Sequence, residues 1–198
     1  MKRKDLEMRL QRLKPFSDPD PGLEQYPTHA TIASEILFAA YAEGDISGRK
    51  VADLGCGTGV FCIGASLLGA SEVSAFDVSG SALNIARENA TELGCDGIEF
   101  VQCDIADVSG SYDTVLMNPP FGSQKKHADR PFLEKAMDIA GSVYSVHMEC
   151  TLPFLSGFAE ERGRELASYK KYKYDIPHTF SFHSKMRRSV DIVAVNIR

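Results

Sequence analysis

The chain has 198 residues, of which 43% are hydrophobic and 25% are charged, as in globular proteins with a substantial core. Its formal net charge of −5 excludes nucleic-acid binding by bulk charge, so any such contact must come from local clusters of Lys and Arg. No apolar stretch approaches the roughly 20 residues that span a bilayer, and residues 1–6 lack the apolar region of a signal peptide, which predicts a cytoplasmic protein.

Hydrophobic periodicity and turn residues predict a regular alternation of strands and helices. Near the N-terminus we expect helices over 4–13 and 28–42, joined by an extended connector with three prolines. The alternation that follows predicts strands at 50–54, 72–77, 98–103, 112–117 and 142–147, and helices at 59–69, 79–93, 131–140 and 152–163. Two late strands, near 165–174 and 190–197, complete the sheet as an antiparallel addition.

This order of elements predicts an α/β fold. The fold is a single doubly wound, seven-stranded, mostly parallel sheet with an N-terminal helical extension. We expect one domain over 1–198, with N-terminal helices in 1–48 and an α/β core in 49–198. The five cysteines form no CxxC pair, which indicates reduced thiols and leads us to expect no disulfide framework and no structural metal.

A glycine-rich turn follows the first predicted strand. Its glycines allow a tight turn and a close approach of the backbone to a ligand. The third glycine comes one residue earlier than in the dinucleotide-binding pattern, and the spacing instead resembles the S-adenosylmethionine loop of class I methyltransferases. On this resemblance the loop contributes the cofactor-binding residues Asp53, Gly55, Cys56, Gly57 and Gly59.

Two further acids end the second and third predicted strands. Asp77, followed by Val78, stands where a carboxylate usually accepts hydrogen bonds from both ribose hydroxyls. Asp104, followed by Ile105, is suited to accept a hydrogen bond from the cofactor's adenine amine. A structural role as a helix cap is the alternative for both acids, and for Asp104 it explains the residue nearly as well.

The strand predicted at 112–117 ends in Asn118, Pro119, Pro120 and Phe121, which we take as the catalytic residues. The two prolines make this segment rigid and remove two backbone N–H donors. The Asn118 side-chain oxygen and a backbone carbonyl can both accept hydrogen bonds from one NH2 group. Phe121 can stack on the ring that carries the amine. The pattern is typical of methyl transfer to a conjugated nitrogen, and a plain Pro-Pro turn is the alternative.

Several motifs in the same order resemble one narrower family. They are Leu-Glu-Gln-Tyr-Pro-Thr (23–28), Val-Gln-Cys-Asp (101–104), Met-Asn-Pro-Pro-Phe-Gly (117–122), Val-Tyr-Ser-Val-His (143–147) and Phe-His (182–183) before Ser-Val-Asp-Ile (189–192). This combination is similar to the archaeal and eukaryotic methyltransferase-like family of small-subunit ribosomal RNA adenine-N6 methyltransferases. The resemblance implies a class I, Rossmann-like enzyme in which the segment 23–28 closes over the cofactor, with Gln25 and Thr28 in the site.

The resemblance also implies two kinds of partner. One is RNA, for which clustered cations suggest contacts at Lys125, Lys126, Arg130, Lys170, Lys171, Lys173, His183 and Lys185, with Tyr169, Tyr172 and Tyr174 interleaved in the second cluster. Each cluster could instead be an ordinary solvated face. The other is a small zinc-binding activator protein that adds a strand to the sheet at 98–103, the predicted edge, which the N-terminal helix could also cover.

Three other functions remain open from the residues. Protein glutamine methyltransferases share Asn-Pro-Pro but usually have Tyr in the position of Phe121. Methylation of guanine N2 or of DNA adenine would use a similar amine site. A non-catalytic RNA-binding factor that retains the fold is the least favoured, because both the cofactor loop and the amine-binding residues are intact.

Overall fold

The computed structural model describes residues 1–122, 126–176 and 188–198. Their centre is a seven-stranded sheet in the order β3-β2-β1-β4-β5-β7-β6. Strands β1 to β5 are parallel, β7 runs antiparallel to β5, and β6 runs antiparallel to β7. The strands are β1 (Lys50–Leu54), β2 (Glu72–Asp77), β3 (Ile98–Gln102), β4 (Tyr112–Met117), β5 (Ala140–Met148), β6 (Leu166–Ile176) and β7 (Arg188–Ile197). The predicted doubly wound, mostly parallel α/β fold is therefore confirmed.

Helices cover both faces of this sheet, as expected for parallel strands joined by helical crossovers. Those in the described residues are α1 (Arg3–Leu10), α2 (Ala30–Ala42), α3 (Val60–Leu67), α4 (Gly80–Glu92), α5 (Arg130–Ile139) and α6 (Leu152–Glu160), with short 3₁₀ turns at Pro21–Leu23, Ile105–Asp107 and Glu149–Thr151. Within the part of the chain that the structure describes, no helix is long and apolar enough to cross a membrane.

Alternating side chains of the strands divide the core into two clusters. Val51 and Leu116 point to the face covered by α1, α2 and α3, whereas Leu54 and Met117 point to the face covered by α5 and α6. This alternation follows from the two-residue period of a strand. Because both faces are buried, the central strands are apolar almost throughout. The five cysteines are all free thiols.

Several elements differ in length from their predictions, most of them by one or two residues, and α6 ends at Glu160 rather than at residue 163. The first helix ends at Leu10 rather than at residue 13, because the chain tightens into a turn in which the N–H of Leu13 bonds to the Leu10 carbonyl before Pro15. Strand β5 extends beyond the predicted 142–147 at both ends. It pairs with β4 from Ala140 and with β7 as far as Met148, and both ladders lengthen it.

The topology fixes where a ligand binds. The strand order reverses between β1 and β4, which lie side by side while their crossovers leave in opposite directions. In open α/β sheets, ligands bind at the carboxyl ends of the strands at such a switch point. Here those ends carry the glycine loop after Leu54 and the Asn-Pro-Pro-Phe segment after Met117. Strand β3 lies at the outer edge of the sheet, as predicted.

Candidate active site

A cavity of about 520 Å³ opens at the carboxyl ends of β1, β2 and β4. This volume is in the range of small-molecule sites. The structure brings together at its wall most of the residues predicted to bind cofactor or substrate, namely Gln25, Thr28, Gly55, Cys56, Gly57, Asp77, Val78, Asp104, Ile105, Asn118, Pro119 and Pro120. The roles of these residues stay predictions.

The glycine loop depends on backbone conformations that residues with a side chain rarely adopt. Gly55, Gly57 and Gly59 all have positive φ angles, of 69°, 53° and 95°. The N–H groups of Gly55 and Cys56 both donate to the carbonyl oxygen of Phe76, at 2.9 and 3.0 Å, which ties the loop to the end of β2. Gly59 is the N-cap of α3 and does not line the cavity, so its part is to let the chain turn into the helix.

Asp77 ties the glycine loop to the start of α4. Its carboxylate accepts the N–H of Gly57 on one oxygen and the N–H of Ser79 on the other, both at 2.8 Å. Burial raises the pKa of Asp77 from its ordinary value, and the backbone donors act in the opposite direction. Each oxygen keeps a second lone pair, so Asp77 can still accept hydrogen bonds from hydroxyl groups in the cavity. The N-cap of α4 is Ser79, not Asp77.

Asp104 lies at the end of β3 and begins the turn Ile105–Asp107. Its side chain caps that turn by accepting the N–H of Ala106 at 2.9 Å. The capping role considered for Asp104 is therefore present in the fold. Asp104 and Ile105 also line the cavity. One carboxylate oxygen therefore positions the turn while the other stays available for a donor on a ligand.

Asp53 is buried behind the glycine loop and is not among the residues that line the cavity. One of its carboxylate oxygens accepts the N–H of Cys62 at 2.8 Å, and the other is buried without a hydrogen-bond partner in the described part of the chain. Burial raises the pKa of Asp53 to about 7, against the effect of the bond from Cys62. Asp53 can therefore act on a cofactor only through the loop that it supports.

Two aromatic rings that the sequence did not single out complete the cradle. A Cβ atom at Gly57 would lie 2.9 Å from the ring of Phe16, and one at Gly55 would lie 3.2 Å from the ring of Phe132. Phe16 comes from the proline-rich connector, which Asn89 of α4 fastens by hydrogen bonds to the backbone of Lys14. No local signal marks Phe16, because its neighbours in the fold are distant in sequence.

Asn118 is oriented by a residue of the N-terminal segment. Its side-chain Nδ2 donates to Oγ1 of Thr28 at 2.9 Å, while its Oδ1 is buried and has no hydrogen-bond partner within residues 1–122, 126–176 and 188–198. Buried polar atoms are nearly always paired, so this unpaired acceptor at the cavity wall suggests a missing donor. Phe121 is half-buried against the core and does not line the cavity, so its stacking role stays a prediction.

Glu24 also contacts the Asn-Pro-Pro-Phe segment, although no separate role was predicted for it. Its side chain is 7% exposed, and its carboxylate accepts the N–H of Phe121 at 2.9 Å. Glu24 has a φ angle of 50°, uncommon for a residue with a side chain. The only available signal was its place within the motif Glu-Gln-Tyr-Pro-Thr. Gln25, in turn, accepts the N–H of Asp20 at 2.8 Å.

The chain after the Asn-Pro-Pro-Phe segment returns to the cavity through residues 127–132. His127, Ala128, Pro131 and Phe132 line its wall, and His127 has a φ angle of 63°. This stretch is held to β5 by a polar contact of 3.3 Å between the Asp129 carboxylate and Nδ1 of the buried His147, whose other ring nitrogen lies 2.7 Å from Oγ of Ser145. Burial raises the pKa of Asp129, but hydrogen bonding and charge interaction with His147, together with smaller effects of a backbone donor and Arg130, lower it below its ordinary value.

The predicted RNA contacts have different surroundings. Lys125, His183 and Lys185 lie outside the described residues. Lys126 and Lys173 are exposed, and the Arg130 guanidinium stacks on the ring of Phe154 at 4.8 Å. Lys170 and Lys171 form ion pairs with Glu35 and Glu149. The contacts themselves stay predictions.

The proposed stacking of three tyrosines needs a correction. Tyr174 is 3% exposed, and its hydroxyl donates to the Pro27 carbonyl at 2.7 Å, so it belongs to the core and cannot stack on a base. The alternation of a strand puts Tyr172 on the same face, where it is half-buried near Glu35. Tyr169 remains exposed.

These observations test whether the residues fit S-adenosylmethionine. Gly55 and Gly57 expose their backbone to the cavity beside the rings of Phe16 and Phe132, and Asp77 and Asp104 present acceptors at the ends of neighbouring strands. The unpaired Asn118 oxygen lies at the same wall. Acceptors suit the hydroxyl and amine groups of a nucleoside, and the apolar lining suits its ring. The residues therefore fit the cofactor.

Comparison with known proteins agrees with this fit. The model of the methyltransferase small domain family matches residues 28–143. A Danio rerio protein named rRNA N(6)-adenosine-methyltransferase METTL5 is 40% identical over 100% of this chain and 98% of its own length. Its Drosophila melanogaster counterpart is 34% identical over 97% of this chain and 94% of its own length. The crystal structure of PH1948 from Pyrococcus horikoshii, 41% identical, superposes with a TM-score of 0.93 over 100% of this chain and 97% of that chain.

These matches cover the glycine loop, the acids and the Asn-Pro-Pro-Phe segment together. They identify the chain as an enzyme, a methyltransferase whose cofactor is S-adenosylmethionine. The family resemblance predicted from the motifs is confirmed, because relatives that match nearly the whole chain are named as rRNA N6-adenosine methyltransferases. The chain belongs to the methyltransferase small domain family, in the group that includes the METTL5 rRNA N6-adenosine methyltransferases.

Proposed function

We propose that this protein methylates the N6 amine of an adenosine in small-subunit ribosomal RNA. The observation that carries the proposal is the buried Oδ1 of Asn118 at the wall of the cavity, which has no hydrogen-bond partner among the described residues and is followed directly by two prolines. An acceptor in this place needs a donor, and the exocyclic amine of adenine supplies two N–H groups. The names of the relatives support ribosomal RNA as the substrate, and the motif at 23–28 supports the small subunit.

The residues of the cavity divide into two groups by the chemistry they offer. Asp77 and Asp104 hold the nucleoside part of the cofactor, and Gly55 and Gly57 admit it against the backbone. The bound cofactor supplies a methyl group already activated by a sulfonium centre. The task of the chain is therefore to hold the amine in line with that methyl group, about 3 Å away, and to exclude water.

Asn118 and the Pro119 carbonyl hold the amine by accepting from its two N–H groups. Adenine N6 is a weak nucleophile because its lone pair is delocalised into the ring. Two acceptors on its hydrogens favour the pyramidal geometry in which the lone pair is available for attack. Phe121 stacks on the base once the RNA is bound, a role in keeping with an aromatic side chain directly after the prolines.

The cationic residues of the chain assist RNA binding near the cavity. Lys126 and Arg130 flank the wall formed by residues 127–132, and Lys173 is exposed on β6. Lys125, Lys170, Lys171, His183 and Lys185 belong to the same proposal. With so few cations, affinity for free RNA is modest and falls steeply with salt. The reaction takes place in the cytoplasm, on an adenosine that is unpaired or is flipped from its helix.

A small zinc-binding activator protein docks on β3 in this proposal. Strand β3 is at the edge of the sheet, where backbone groups can pair with an added strand. Ile98 is buried whereas Phe100 and Val101 are only half-buried, so apolar surface accompanies the edge, although Arg87 donates to the Phe100 carbonyl and would have to move for a strand to pair there. Co-expression with such a protein should raise both yield and activity. Equal yield and activity without it would count against the partner and leave the enzyme itself untouched.

The decisive experiment is methyl transfer from labelled S-adenosylmethionine to small ribosomal subunits, their isolated RNA and release factors, each in parallel. Wild type should label RNA, and digestion followed by mass spectrometry should identify N6-methyladenosine. Asn118→Ala should reduce transfer by about 100-fold or more while binding of S-adenosylhomocysteine is retained. The matched control is Asn84→Ala, an exposed asparagine of α4, which should keep full activity. Label on protein glutamine would refute the proposal.

A further inference from the structure

The segment 24–28 contacts the Asn-Pro-Pro-Phe segment at both of its ends. Glu24 accepts the backbone N–H of Phe121, and Thr28 accepts from the Asn118 side chain, each at 2.9 Å. We propose that Glu24 and Thr28 are positioning residues, which hold the amine-binding loop in its productive geometry. This inference rests on the proposed function, because it assigns the two residues to the same amine-binding site.

The sequence of the loop explains why an outside acceptor is needed. Pro119 and Pro120 have no backbone N–H, so Phe121 carries the first main-chain donor after Asn118. A carboxylate that accepts this donor is the one kind of side chain that can fasten the loop there through a charge-assisted hydrogen bond. Glu24 makes that bond in a site where it is 7% exposed, so water competes little for the donor.

Thr28 acts on the amide of Asn118. A primary amide has a donor end and an acceptor end, and the reaction needs the acceptor end to face the amine. Because Nδ2 donates to the Thr28 hydroxyl, the buried end of the amide is Oδ1, which has no hydrogen-bond partner among the described residues. The same bond draws electron density toward Oδ1, since hydrogen bonds in series polarise one another. Thr28 thus fixes both the direction and the plane of the amide.

The segment itself is fastened at further points, which allows it to serve as a support. The Pro27 carbonyl accepts from the buried Tyr174 of β6, and Gln25 accepts the N–H of Asp20. The backbone of Glu24 has a positive φ angle, a conformation that persists only where surrounding contacts determine it. Such strained residues occur preferentially at functional sites.

The arrangement connects the cofactor to the substrate. Residues 22–28 form one wall of the cavity, and through Glu24 and Thr28 the same residues hold the amine-binding loop. A cofactor that orders this wall therefore also orders the amine-binding loop. We expect the wall and the loop to behave as a single unit. Disrupting the contact of Glu24 with Phe121, or that of Thr28 with Asn118, should therefore lower the rate of methyl transfer more than it lowers the affinity for the cofactor.

The test measures single-turnover methyl transfer at saturating RNA and cofactor, together with the dissociation constant of S-adenosylhomocysteine. Thr28→Val and Glu24→Ala should each lower the rate by about 10- to 100-fold, with the dissociation constant changed by less than about threefold. Thr28→Ser should restore most of the rate because it restores the hydroxyl. Glu24→Gln keeps a neutral acceptor for the Phe121 N–H, and its rate should lie between those of wild type and Glu24→Ala.

Matched substitutions at exposed positions control for general destabilisation. Thr31→Val removes a threonine hydroxyl of α2 that bonds Glu7 on the outside, and Glu161→Ala removes an exposed acid after α6. Both should leave the rate and the melting temperature unchanged. The inference is overturned if Thr28→Val and Glu24→Ala retain the wild-type rate, or if their loss of rate follows entirely from weaker cofactor binding.

A structural readout separates this inference from the proposed function. Hydrogen exchange of the Phe121 amide should accelerate in Glu24→Ala by at least about tenfold relative to wild type. The side-chain NH2 resonances of Asn118 should shift in Thr28→Val. If wild type fails to methylate ribosomal RNA, the proposed function is refuted, and these two measurements still decide whether Glu24 and Thr28 hold the loop. Unchanged exchange and unchanged resonances would refute the positioning roles alone.

Discussion

Nδ1 of His147 lies 3.3 Å from a carboxylate oxygen of Asp129, and this contact joins the buried strand β5 to the start of α5. His147 is 1% exposed, and Ala128 and Pro131, which lie close to Asp129 in sequence, line the cavity. The pair therefore fastens one wall of the site to the sheet. A buried pair contributes most clearly when one member is removed, because the other then keeps an unsatisfied polar group.

Removal of this contact should loosen the cavity wall at 127–132. Asp129→Ala is expected to destabilise the protein by about 1–3 kcal/mol, since the buried imidazole of His147 loses its partner. Methyl transfer should fall as the wall becomes mobile. Chemical denaturation and activity are the measurements, and Asp138→Ala, an exposed acid of α5, is the control expected to stay within about 0.5 kcal/mol of wild type. Equal stability of the two variants would contradict the anchoring role.

A methyl group in the glycine loop should obstruct the cofactor site. Gly57→Ala combines a φ angle of 53° with a Cβ atom 2.9 Å from Phe16, so both strain and crowding oppose it. Gly163→Ala has a similar φ of 69° but meets nothing within 4 Å, and it isolates the strain alone. We expect both variants to lose about 1 kcal/mol from backbone strain. Only Gly57→Ala should also weaken S-adenosylhomocysteine binding, measured by calorimetry.

The stability of the protein should depend on pH through Asp53. Burial raises its pKa to about 7, whereas an unfolded aspartate has a pKa near 3.9, so the folded state binds the proton more tightly. This contribution is fully present below about pH 4 and is lost as the pH rises through about 7. Between pH 5 and pH 8, wild type should lose up to about 3 kcal/mol relative to Asp53→Asn.

Denaturation of both proteins at several pH values measures this difference. Asp96→Asn, at an exposed site before β3, is the control and should differ from wild type by the same amount at each pH. If the difference between wild type and Asp53→Asn does not vary between pH 5 and pH 8, the buried carboxyl does not titrate in this range.

The hydroxyl of Tyr174 should stabilise the segment 22–28, which lines the cavity. Tyr174→Phe removes the bond to Pro27 and leaves a carbonyl without its partner, at an expected cost of about 1–2 kcal/mol. Hydrogen exchange across residues 22–28 should become faster than in wild type. The control is Tyr169→Phe, since Tyr169 is 55% exposed on the same strand, and there we expect no change. Exchange that is equal in both variants would argue against the role of Tyr174.

The sequence by itself determined the parts of the site that follow directly from local pattern. Gly57, Asp77 and Asn118 each come immediately after an apolar strand or within a glycine-rich turn, and parallel strands bring such ends to one edge of the sheet. The strands at 50–54, 72–77 and 112–117 have the predicted limits, because buried parallel strands are apolar runs with clear turn residues at their ends.

Only the tertiary structure decided which distant residues complete the site. Phe16 reaches Gly57 because Asn89 holds the connector, and Glu24 reaches Phe121 across 97 positions of sequence. Tyr174, which the pattern allowed as an RNA-stacking residue, is instead buried against Pro27. Local sequence sets where a strand ends and which residue follows it. The contacts between those ends depend on how the whole chain packs, and no short stretch of sequence contains that information.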